Sequence, residues 1–167
     1  AQLLMMPSMQ ASGASSSKWS DVYKGPEPMS EAENQAVRTL QEQYGFVASI
    51  SFHSYSKLIL WPWGYTTSIQ AKDHNIFLKY GEKMGEIMDY DPMQSSLLYP
   101  AAGDSDDYLY ADYDVLAYTI ELGSRFVPHE QQVPIICKKG AKALRYLFLN
   151  ARDPWKDRPD DETYKIA

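Results

Sequence analysis

The sequence predicts an α/β fold. Stretches with apolar residues at helical spacing alternate with short β-forming apolar runs, and no internal repeat breaks the alternation. At 167 residues the chain is long enough for one compact domain with a real core and too short for two ordinary ones. Hydrophobic residues make up 44% and charged residues 23%, which argues against disorder of the whole chain.

The elements follow in order. Residues 1–17 carry no charge, hold Pro7 and Gly13 as breakers, and read as loop internal to something larger. Lys24-Gly25-Pro26-Glu27-Pro28 is a turn. Ser30-Glu31-Ala32-Glu33 then matches a capping box, and Ala36, Val37, Leu40 and Tyr44 recur on one face before Gly45, so a helix is expected over 31–44. Phe46–His53 is β-forming and apolar on alternate positions, which predicts a strand. Leu58-Ile59-Leu60-Trp61 predicts a second, ended by Pro62 and Gly64. Ile76, Phe77, Tyr80, Met84, Ile87 and Met88 predict an amphipathic helix over 70–89, followed by loop over 91–107. Val115–Leu122 is almost wholly apolar and predicts a central strand. Pro134 then opens a helical pattern over 134–151.

Composition excludes several functions. With 16 basic against 22 acidic residues the net charge is −6, the wrong sign for non-specific nucleic-acid binding. No apolar run approaches a membrane span, and the N-terminal residues lack the basic region of a signal peptide. One cysteine, Cys137, cannot form a disulfide within the chain. Thirteen tyrosines and four tryptophans suit a large core or a site for organic groups.

Three groups of residues can carry chemistry. His53 ends the first strand, where open α/β sheets place their sites. It is either a metal ligand or a hydrogen-bonded, partly buried histidine. Glu121 stands in an apolar strand, either as a desolvated general base or as a strand-end carboxylate paired with a surface cation. Gly103-Asp104-Ser105-Asp106-Asp107 concentrates three carboxylates. It lacks the calcium-loop pattern, and the alternatives are a pocket for a basic group or a helix over 106–113 capped by Asp104 or Ser105. His74 and His129 are expected to be solvated. Neither they nor His53 belong to a metal-binding motif, and Ser15-Ser16-Ser17 has no nucleophile elbow around it.

Taken together, Ser51-Phe52-His53-Ser54-Tyr55-Ser56, Leu98-Tyr99-Pro100-Ala101-Ala102-Gly103, Ser105-Asp106-Asp107 and Tyr118-Thr119-Ile120-Glu121-Leu122 resemble motifs of the zinc metallocarboxypeptidases of the A/B type. With Gly13–Ser17 and the turn at Tyr23-Lys24-Gly25-Pro26, the resemblance runs from about Gly13 to Ala151 and covers the second half of the family's domain. It implies the C-terminal half of a mixed sheet flanked by helices, with about four strands in this chain and Phe46–His53 as an exposed edge. Residues 1–151 are then a partial catalytic domain and 152–167 a surface tail.

The resemblance also implies roles. His53 is the third zinc ligand and Glu121 the general base. Tyr99 closes over the substrate's C-terminal residue, and Asp106 sets specificity for C-terminal Lys or Arg. Leu60, Gly64, Ala101 and Thr119 line the same pocket, with Ser54 and Tyr55 also at the substrate, and cis peptides are implied at Ser54–Tyr55 and Pro62–Trp63. Asp104 stands where the family usually has a small residue, which makes the pocket more acidic.

The family's first two zinc ligands lie in a His-x-x-Glu motif, which this sequence does not contain. Two functions follow. One is a zinc carboxypeptidase B-like chain acting on peptides with a free C-terminus, with a second chain or longer precursor supplying the other ligands. The other is an inactive remnant that keeps the peptide pocket as a binding module. The family resemblance also implies a secreted or extracellular protein.

Overall fold

The computed structural model describes residues 14–21, 23–156 and 158. Its elements are α1 (Ala32–Tyr44), β1 (Ala48–His53), β2 (Leu58–Trp61), α2 (His74–Met88), β3 (Asp91–Gln94), a 3₁₀ turn (Ser95–Leu97), α3 (Ser105–Tyr113), β4 (Leu116–Glu121) and α4 (Val133–Asn150). The four strands form one mixed sheet in the order β1-β4-β2-β3. β1 runs parallel to β4, β2 antiparallel to β4, and β3 parallel to β2. The apolar run expected to be central is central, and β1 is the exposed edge.

Strand periodicity sorts the two faces. Leu116, Tyr118 and Ile120 of β4, with Ile59 and Trp61 of β2, enter the main core, where Phe77, Met84 and Met88 of α2 and Ala143 and Leu147 of α4 cover them. The alternate positions face the other way. There Val115 and Ala117 pack with Met29, Tyr108 and Leu109 of the α3 side, and Thr119 and Glu121 reach a cavity. α2 lies close against the sheet through two glycines one turn apart. A Cβ at Gly81 would stand 3.1 Å from the Trp61 ring, and one at Gly85 would stand 2.7 Å from the Tyr90 carbonyl oxygen.

Four expectations need correction. The stretch 91–107 is not all loop: Asp91-Pro92-Met93-Gln94 forms β3, and α3 begins at Ser105. A strand of four residues containing Pro gives no apolar signal, and Pro is tolerated because β3 is an edge strand. The capping box does not form. Glu31 is the N-cap, no side chain caps α1, and the Ser30 hydroxyl turns to the Glu31 carboxylate. The face of α1 carrying Val37, Leu40 and Tyr44 is exposed, and the buried positions are Asn34 and Gln41. Which side of a helix is buried depends on what lies beside it, and here Gln41 is held by its bond to the Phe46 carbonyl. His74 is half-buried rather than solvated, with its ring 5.8 Å from that of Trp61 and Nδ1 without a partner. His129 is exposed, as expected. The loop expected over residues 1–13 lies outside the described residues.

Beyond α4 the chain turns back onto the body. Trp155 packs edge-on to Phe77 and beside Tyr110, and its indole N–H donates to the Asp114 carbonyl at 2.7 Å. Arg158 stacks 4.4 Å from the Trp155 ring and donates to both oxygens of Asp73, at 2.8 and 2.7 Å, and to Asp114 at 3.0 Å. The Asp73 side chain is only 1% exposed and also accepts from the Tyr110 hydroxyl at 2.6 Å. Removing the guanidinium leaves a buried carboxylate with one partner fewer. Arg158→Ala should therefore lower stability by about 2–3 kcal/mol in urea denaturation, and Arg158→Lys should recover only part of that. An Arg158→Ala midpoint equal to that of the parent would mean that the tail does not anchor the fold.

Candidate active site

The parallel pairing of β1 with β4 sets the site. In register, His53 stands opposite Glu121 and Ser51 opposite Thr119, at and near the carboxyl ends of both strands. Antiparallel pairing puts Leu60 opposite Thr119. His53, Leu60, Thr119 and Glu121 line one cavity of about 740 Å³ together with Gly64, Tyr99, Ala101 and Asp104. Eight residues expected at the site are thus gathered from β1, β2, β4 and two loops.

Three are placed elsewhere. Ser54 and Tyr55 are exposed beside the cavity without lining it, and Tyr55 meets Phe126 edge-on at 4.8 Å. Asp106 is 2% exposed and lies one layer deeper, bonded to Thr119, which does line the cavity. The peptides at Ser54–Tyr55 and Pro62–Trp63 are both cis.

His53 is exposed, with Nε2 2.8 Å from the Ser51 hydroxyl, so a hydrogen bond already orients the ring. Glu121 is 91% buried, being 9% exposed, and its Oε2 has no hydrogen-bond partner. Burial pushes its carboxyl above the ordinary value, and the nearby His53 pulls in the opposite direction. A desolvated, unpartnered carboxylate at the mouth of a cavity has the features of a proton acceptor rather than of a surface ion pair.

The floor is made by the N-terminus of α3. Asp104 is its N-cap, and Oδ1 accepts the Asp107 N–H at 2.7 Å, the plainer of the two roles foreseen for this residue. The Asp107 carboxylate accepts the Gly64 N–H at 2.8 and 3.0 Å and the Tyr65 N–H at 3.1 Å, which fixes the loop after β2. Gly64 is required there: a Cβ would stand 2.1 Å from Asp104 Oδ2 and 3.3 Å from the Ala101 carbonyl oxygen. Burial raises all three aspartates. Asp107 is pushed up to about 8 by burial and by Asp104, and Asp106 is held well above the carboxylate range by burial and then by Asp104.

Sequence reasoning missed several participants. Asp21, Glu31, Glu33 and Asn34 also line the cavity. Gln94 braces the same loop by donating to the carbonyls of Trp63, Thr66 and Ile69 at 2.9 to 3.1 Å. No local pattern marks them, because their roles arise only from tertiary placement.

A mixed sheet thus carries a histidine and a buried glutamate at adjacent strand ends above an acidic pocket. The zinc carboxypeptidase family model matches residues 7–143, and this chain belongs to that family. It is 32% identical over 136 residues to carboxypeptidase B of Astacus astacus, spanning 73% of this chain and 45% of that protein. It is 30% identical over 154 residues to carboxypeptidase B of Rattus norvegicus, spanning 84% of this chain and 37% of that protein. In structure it resembles bovine thrombin-activatable fibrinolysis inhibitor in complex with tick carboxypeptidase inhibitor, with a TM-score of 0.72 and 31% identity over 79% of this chain and 49% of that one. The chain thus spans less than half the length of these relatives.

The family is zinc-dependent, and the fit of this chain to zinc is partial. Among the described residues no group of three or more His, Cys, Asp or Glu could hold a metal, whereas catalytic zinc sites use three protein ligands. Among the described residues His53 is the one candidate donor that the resemblance supplies. No helix among the described residues is long and apolar enough to cross a membrane.

The pocket carboxyls bear on stability with a definite sign. A carboxyl raised in the folded state binds its proton more tightly there than in the unfolded chain. Its stabilisation is complete below about pH 4 and is lost as pH rises through the folded value, about 8 for Asp107. The denaturation midpoint should fall between about pH 5 and 8, and Asp106→Asn should flatten the slope. A midpoint that rises across this window would mean that the carboxyls are ionised in the folded protein.

Proposed function

We infer that this chain carries the general base and side-chain pocket of a zinc carboxypeptidase that removes the C-terminal residue of peptides, with a preference for Lys or Arg. The observation that carries the reading is Glu121 Oε2, buried and unpartnered at the cavity beside His53. In this reading Glu121 takes a proton from the water that attacks the last peptide carbonyl and delivers it to the leaving nitrogen as the C–N bond breaks. The products are a shortened peptide with a new carboxylate and one free amino acid. Tyr99, 63% exposed on its loop, is free to move over the substrate's last residue. Asp106 lies beneath Thr119 with its proton held by burial, and in this reading a cation entering the pocket favours the ionised form and meets it as a charge-assisted partner. His53 would give one imidazole to zinc. The remaining ligands would come from polypeptide outside the described residues, on a longer form of this chain or on a second chain. Action outside the cell belongs to the same reading.

A second reading is favoured by one observation, the lack of a three-ligand group among the described residues. In that case the chain is a carboxypeptidase-like binding module that holds peptide C-termini without cutting them.

Peptide hydrolysis by the zinc-loaded protein, with the further polypeptide that completes the metal site present, separates the two. Glu121→Gln should lower kcat by about 10³-fold with little change in KM. Wild-type turnover in that variant would remove Glu121 as the base. Asp106→Leu should move preference from C-terminal Arg toward Leu or Phe by about 10²-fold. An unchanged preference would remove Asp106 from the specificity pocket. A parent protein that binds C-terminal Arg peptides without turnover would support the binding module.

A further inference from the structure

Among the described helices α4 alone has cations and no acid, with Lys138, Lys139, Lys142 and Arg145. Gly140, Ala143 and Leu147 turn inward to the core. The flank toward α2 is used by Tyr146, beside the Tyr80 ring, and by Lys139, which donates to the Met88 carbonyl at 2.9 Å. The outward stripe is Ile135, Lys138, Lys142, Arg145 and Leu149. These residues are three and four apart, so all five share one face over about 21 Å. Every one is exposed, Ile135 by 58% and Leu149 by 64%. Among the described residues the side chains of Lys138, Lys142 and Arg145 enter no ion pair. Taking the four cations of α4 from a net charge of −6 leaves −10 on the rest of the chain, so the stripe is a patch of opposite sign on an acidic body.

We propose that this stripe docks an acidic amphipathic helix of a partner protein, with carboxylates against Lys138, Lys142 and Arg145 and an apolar side chain against each of Ile135 and Leu149. Alternating three-and-four spacing is the seam of a two-helix contact, in which outward side chains enter the grooves of a neighbouring helix. Charge sets the partner's sign. Three cations with no acid between them repel one another, and facing carboxylates relieve that repulsion. The apolar ends gain only from apolar groups, which the backbone of a nucleic acid does not offer. The acidic remainder limits the partner's size. A duplex or an anionic bilayer extends past the stripe and meets negative surface within a Debye length of about 8 Å, whereas one helix covers the stripe alone. α4 covers the face of the sheet opposite the cavity, so the inference does not depend on the carboxypeptidase reading.

The test is a titration of the whole protein with a labelled helical peptide of about 20 residues, carrying glutamate at the three central seam positions and leucine at the two outer ones. The parent should bind it, and affinity should fall about tenfold between low salt and about 0.5 M salt. The double variant Lys142→Glu, Arg145→Glu should bind about 30-fold more weakly, and a peptide with lysine at the facing positions should bind that variant and not the parent. Leu149→Ser should cost about fivefold, which a purely ionic contact would not show. All these positions are exposed, so the variants keep the fold. A parent that does not bind the glutamate peptide would overturn the proposal. Equal affinity in the charge-reversed variant would do the same. Tighter binding of the parent to phosphatidylserine vesicles than to the peptide would also overturn it, the face then being a membrane contact. So would binding that appears only after residues 159–167 are removed, because the acidic run Asp160-Asp161-Glu162 of this chain would then be the occupant.

Discussion

The pairing of β1 with β4 is the constraint from which the rest of the site follows. β4 is buried along its length and sits between an edge strand and an antiparallel neighbour. Once Leu116, Tyr118 and Ile120 are committed to the core under α2 and α4, period two leaves Thr119 and Glu121 on the opposite face. The parallel register then brings His53 next to Glu121. A slip of one residue would send the glutamate into the apolar core and an isoleucine into the cavity. The hydrophobic pattern that stabilises the sheet therefore also aims its chemistry.

The pocket works against stability in the opposite sense. Three carboxylates are gathered at one helix N-terminus, two of them almost fully buried. The positive end of the helix dipole and the amides of Asp107, Gly64 and Tyr65 offset part of the cost. Asp106 Oδ1 is left without a bond. Local rules broken in this way usually mark function, and here the break lies behind Thr119, two residues before the buried glutamate on the same strand.

Much of this was legible in the sequence. The apolar run Val115–Leu122 announced a central strand, and the helical spacing from Ile76 to Met88 announced the helix above it. The motif around His53 and the strand carrying Glu121 pointed to the family, and the family model covers most of the chain. β3 was hidden because Asp91-Pro92-Met93-Gln94 pairs by its backbone without apolar side chains to show for it. The exposed face of α1 was misjudged because amphipathic spacing tells that a helix has two sides, not which side finds a neighbour. The depth of Asp106 behind Thr119 was equally out of reach, since the i, i+2 spacing of Asp104 and Asp106 does not say which carboxylate faces the cavity.

The described residues place one candidate zinc donor, His53, beside the buried Glu121 and hold no group of three that could bind a metal. Native mass spectrometry of the purified protein after equilibration with zinc tests it most directly. The account predicts that the 167-residue chain retains no zinc by itself, and that one zinc is held only when further polypeptide mass is present. One zinc held tightly by the chain with no added polypeptide would contradict it.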